Sequence, residues 1–83
     1  MDLTVARHRR VSSFSMAIET LHARGRVRRK PWIKTRQWLE LMEDSADEEM
    51  CIMLVKGHDE GHTRKRWNPK HADLLAFDWF ELV

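Results

Sequence analysis

Two tryptophans stand where a flat ring and a charge could act together. Trp32 follows Arg28, Arg29, Lys30 and Pro31, and Trp67 precedes Asn68 and Pro69. An indole face beside guanidinium and ammonium groups is suited to stacking on a base while the cations meet phosphates. Trp32 serves equally well as a core anchor. Asn68-Pro69 is a helix-start signal, with Asn68 as side-chain cap and Pro69 at the first helical position, where no amide donor is needed. A helix starting there holds the Trp67 ring at a fixed corner, and that corner reads as half of a binding pocket. Phe14, at the start of another helical stretch, is placed to reach the pocket rim.

These residues must be carried by a small scaffold. Eighty-three residues make one domain, whose core is small enough to leave room for help from an oligomer. The division expected is a basic, weakly ordered arm over residues 1–12 and a single α+β domain over 13–83. Ser13–Arg24 reads as the first helix: Phe14, Ala17, Ile18 and Leu21 share one face, Ser13 caps it, and Gly25 is placed for a left-handed ending. Arg26–Trp32 reads as a strand with Val27 inward. Arg29 shares the Val27 face and needs a partner for its charge. Pro31 ends regular pairing or places this end at a sheet edge. Gln37–Met42 alternates as a second strand, Met50–Val55 is an apolar strand expected at the sheet centre, Gly57–Gly61 a turn, and His62–Trp67 the returning strand. Asp78–Val83 closes the chain. The fold class is therefore α+β: an N-terminal helix, a four-stranded antiparallel sheet, a short second helix and a final strand.

Charge is divided along the chain. Residues 1–36 hold ten Lys/Arg against Asp2 and Glu19, and residues 37–83 hold five against eleven acids. One half can attract anions while the other limits general stickiness. The acidic second half argues against a long phosphate track, so no nucleic acid is expected as partner. The longest apolar run is a strand's length, and no membrane partner is expected. Cys51 is the sole cysteine, so no intrachain disulfide can form and a reducing compartment fits.

Catalytic patterns are missing. No Ser-His-Asp set lies on a recognisable turn, three glycines make no phosphate loop, and no carboxylate pair predicts acid–base work. The acidic Glu43–Glu49 lacks the glycine and alternating ligands of a calcium loop. His58 and His62 could join Cys51 or His71 around zinc only if a helix held them, and a turn intervenes. No metal, no cofactor and no enzymatic activity are expected.

Phe14–Trp32 and Trp67–Val83, the latter with its D-L-L-A followed by D-W, together resemble the type-two Thoeris anti-defence family of bacteriophages, some of whose relatives were first named as anti-CRISPR proteins. The two blocks cover 36 of the 83 residues. The resemblance implies a sponge in the cytoplasm of the infected host, binding cyclic nucleotide immune signals without cleaving them. Glycocyclic ADP-ribose and cyclic di- or trinucleotides are the ligands in question, and a homotetramer shares its pockets between protomers. Carried onto this chain, Phe14, Trp32, Trp67 and Asp73 are the pocket candidates, with Arg29 for phosphate. Arg28 and Asn68 complete the expected ligand-binding set. The basic extension before the first helix and the middle of the chain, 33–66, depart from the family pattern. Two rival readings are an inhibitor that uses Glu43–Glu49 as a DNA mimic and a small nucleic-acid binder that uses the basic arm.

Overall fold

The computed structural model describes residues 8–44 and 48–83. Among the described residues six strands form one antiparallel sheet in the order β1-β6-β2-β3-β4-β5. They are β1 (His8–Ser12), β2 (Arg26–Arg29), β3 (Gln37–Glu43), β4 (Met50–His58), β5 (Gly61–Arg66) and β6 (Trp79–Leu82). Helix α1 (Phe14–His22) follows β1, and α2 (His71–Leu75) follows β5.

The mixed helix-and-sheet class is as expected, but the strand count and the first element are not. A strand precedes the helix, because His8, Arg9 and Arg10 pair with Leu82, Glu81 and Phe80 of β6. The basic stretch therefore joins the sheet edge at 8–12, and the rest of the expected arm lies outside the described residues. A bulge between Arg10 and Ser12 bends this edge strand, with Ser12 at φ 70°. The bulge delivers Val11 into the core. The final strand does not stand apart: β6 sits between β1 and β2 and bonds to both. That insertion moves the sheet centre to β2 and β3. Met50–Val55 accordingly lies second from an edge, and β4 runs on to His58, where Asp59-Glu60 makes a two-residue turn and Gly61 takes φ 135°.

Helix α1 begins where its sequence says. The Ser13 hydroxyl accepts from the Met16 amide at 3.3 Å. Its end differs: Arg24, not Gly25, is left-handed, at φ 68°. Gly25 answers to space instead, since a Cβ there would lie 2.7 Å from Glu81 Oε2 and 2.7 Å from Thr20 Cγ2. Ala17 and Leu21 bury the helix against Val11, Val27, Leu39 and Trp79. The opposite sheet face carries a smaller cluster of Trp38, Val55 and Leu82, all from the sheet itself.

Candidate functional site

Strand alternation decides which side chains the site receives. Val27, Arg29, Leu39, Leu54, Lys65 and Trp79 share the helix side, by register across β6, β2, β3, β4 and β5. After Arg29 the chain tightens into a short 3-10 turn, Lys30–Ile33, with Pro31 inside it, which ends pairing as expected and lifts Trp32 off the sheet. Trp67 leaves β5 with its amide bonded to Ile52 O at 2.9 Å. Both rings then settle beside Trp79, which is fully buried as its place in the closing strand suggests.

The aromatic cluster is compact. Trp32 lies edge-on to Trp79 at 5.3 Å and to Trp67 at 6.2 Å, and Phe14 packs at 5.5 Å from Trp67 and 5.3 Å from Trp79. A base sandwiched between two rings needs them parallel and roughly 7 Å apart, twice the contact distance. The Trp32–Trp67 pair is inclined at 76° and cannot hold a base in that way. Each ring instead presents its outer surface to a neighbouring cavity.

That cavity, about 500 Å3, is lined by Trp32, Trp67, Asn68 and Asp73, with Gln37 and Leu54 beneath and Lys65, Arg66 and Lys70 around it. Its size falls within the usual range for small-molecule sites. A second hollow of about 250 Å3 adjoins it, sharing Gln37, Leu54 and Lys65 and adding Lys56 and Thr63. Arg66 is committed to Asp44 at 2.7 Å. Lys65 and Lys70 are exposed.

Among the described lining residues the one carboxylate, Asp73, is tied down. Asp73 Oδ1 accepts from Arg29 Nη1 at 2.9 Å, and Oδ2 accepts from the Lys70 amide at 3.0 Å. Asp78 takes the other side of the same guanidinium, 2.9 Å from Nε. Hydrogen bonding to Asp78 raises the Arg29 pKa, with Asp73 adding to it against the desolvation of the site. The Asp73 backbone carbonyl also accepts from Trp79 Nε1 at 3.1 Å. The need for an Arg29 partner, evident from its place beside Val27, is thus met twice.

The same bonds correct the helix start. Helix α2 opens at His71 with Lys70 as its cap residue, not at Pro69 with Asn68. Asp73, already fixed by Arg29, reaches back to the Lys70 amide and satisfies it, which leaves the exposed Asn68 at the cavity wall. Of the expected residues, Trp32, Trp67, Asn68 and Asp73 line one cavity. Phe14 supports Trp67 from behind, Arg29 holds Asp73, and Arg28 points to the other face. The sequence reading did not single out Gln37, Leu54, Lys65 and Lys70. The placement of Lys65 and Trp67 on one face of a strand was the signal that could have found Lys65.

No group of His, Cys, Asp and Glu among the described residues could hold a metal ion. No helix among them is long and apolar enough to cross a membrane. Fold and cavity define an α+β domain, one antiparallel sheet with an aromatic-walled, cation-rimmed hollow on its helix side. The chain belongs to the Tad2-like family: the Thoeris anti-defense 2-like domain matches residues 12–82. No curated protein and no solved structure matches it. Membership supports an anti-defence role directed at Thoeris.

Proposed function

We propose that the chain binds cyclic nucleotide immune signals in the Trp32–Trp67 cavity and sequesters them intact, in the cytoplasm of an infected bacterium. The observation that carries this reading is the meeting of two indole surfaces with Lys65 and Lys70 around one cavity of about 500 Å3. A nucleotide offers base faces to the rings and phosphates to the ammonium groups. Both oxygens of Asp73 are held by the chain's own donors, which supports retention over turnover. The two adjoining hollows suit a ligand longer than one nucleoside, and a homotetramer with shared pockets would enclose it further. The DNA-mimic alternative rests on Glu43–Glu49, of which 45–47 lie outside the described residues and Asp44 is paired with Arg66.

Calorimetric titration with glycocyclic ADP-ribose and cyclic dinucleotides tests the proposal, with chromatography of the released ligand. Binding of at least one, recovered unchanged, is expected. Trp67→Ala should weaken it by about 1–3 kcal/mol. Failure of every cyclic nucleotide to bind, or its recovery as cleaved product, overturns the reading.

A further inference from the structure

Arg28 and Arg29 are neighbours that alternation sends to opposite faces of β2. Arg29 meets two carboxylates, whereas Arg28 meets none among the described residues. It is 7% exposed, on the face that carries neither helix. Its acceptor is the neutral ring nitrogen His8 Nε2, 3.1 Å from Nε and also touched by Nη2. A guanidinium has five donors, and this contact leaves several unused. A buried charge facing only a neutral partner is costly unless something else compensates it.

The surroundings add positive charge. Register aligns Arg10, Phe80 and Arg28 in one row across β1, β6 and β2, and His8, Leu82 and Arg26 in the next. Desolvation and then the charge of Arg26 lower the Arg28 pKa, and desolvation and then Arg28 lower that of His8. The nearby carboxylates among the described residues are engaged elsewhere. Glu40, on the same face of β3, accepts from Trp38 Nε1 at 2.8 Å, and Glu81 turns to the helix side, where it pairs with Arg9. Phe80 and Leu82 between the cations make an apolar floor that strengthens any ionic contact made over it.

We propose that Arg28, with Arg10 and Arg26, forms a binding site for a phosphate group on this sheet face opposite the two helices, separate from the aromatic cavity. Arg28 supplies donors at the floor. Arg10 and Arg26, both exposed, flank β6 on opposite sides and one row apart, which sets their backbones roughly 12 Å from each other, within reach of two long side chains. A phosphate has enough oxygens to accept from three guanidiniums at once, where a carboxylate has two. A free phosphate ester and a single-stranded nucleic-acid backbone present the same group.

Thermal melting of the full chain tests this, in inorganic phosphate against chloride at matched ionic strength. Adenosine monophosphate and a short single-stranded DNA serve as further probes. Wild type should melt higher in phosphate. Arg28→Met should melt at least as high as wild type in chloride and lose the phosphate gain. Arg10→Gln, an exposed change, should reduce the gain several-fold, and Trp67→Ala should keep it, which separates this site from the cavity. A gain from DNA where the monophosphate gives none assigns the site to a nucleic-acid backbone, and equal gains assign it to free esters. The proposal is overturned if wild type and both arginine variants gain equally, as a general salt effect would require. It is equally overturned if Arg28→Met melts far below wild type in chloride, as a purely structural arginine would require.

Discussion

The two faces of this sheet treat the same residue types in opposite ways. On the helix side, Trp79 is enclosed by Phe14, Trp32 and Trp67, and Arg29 is neutralised by Asp73 and Asp78. On the other side, Trp38 is met by sheet side chains: Arg26 lies 5.8 Å above its ring and His62 meets it edge-on at 5.2 Å, and Arg28 contacts no acid among the described residues. One face spends its polar groups on holding itself together. The other leaves cationic capacity unspent. Stability and binding potential are thus divided by the plane of the sheet, and adjacent residues of β2 fall on either side of the division.

The largest effect should come from the enclosed tryptophan. Trp79→Ala removes the hub of the cluster and should cost about 3–5 kcal/mol, a large share of the stability of a domain of this size. Trp38→Ala should cost less, since fewer neighbours collapse around it. Equal losses in denaturant titration would break the contrast between the faces. Next in size, Asp73→Ala strips Arg29 of one partner and α2 of its cap, and should cost about 1–3 kcal/mol. Asn68→Ala, exposed at the cavity wall, should leave the melting temperature within about a degree, a change of a few tenths of a kcal/mol. A matching loss in both would mean that Asn68 carries structure after all.

The smallest effect is a pH dependence on the uncovered face. Desolvation, and then Arg28, hold His8 below its ordinary value of 6.5. The unfolded chain therefore takes up this proton first as pH falls. The His8 contribution is complete above about pH 6.5 and is lost as pH drops through the lower folded value. His8→Gln should flatten the wild-type stability curve in that window. Superimposable curves would show that the His8–Arg28 contact carries no linkage.

Local signals were legible in the sequence where one residue decides the outcome. Ser13 caps α1, Pro31 ends β2, and Arg29 requires a partner because it shares the Val27 face. The elements misjudged are those settled by distant pairing. His8–Ser12 looks like a loose basic arm until β6 offers it a ladder, and Met50–Val55 looks central until β6 enters the sheet on the other side. Asn68 carries the local pattern of a cap, but Asp73 takes that task because Arg29 already fixes its carboxylate. The cavity was half visible: Trp32, Trp67, Asn68 and Asp73 could be named. Gln37 and Leu54 become its floor only through the pairing of β3 with β4.

The position of β6 also sets an order of events. Strands β3, β4 and β5 form successive antiparallel pairs along the chain and can assemble as they are made. The edge strand β1 is bonded within the described residues only to β6, so it has no partner until residues 79–82 have left the ribosome. Such distant pairing is slow to form because the intervening chain must first be gathered in. Until then the place between β1 and β2, one strand wide, has no occupant from this chain. Anything that fills that gap early, a segment of another chain included, competes directly with the protein's own last strand.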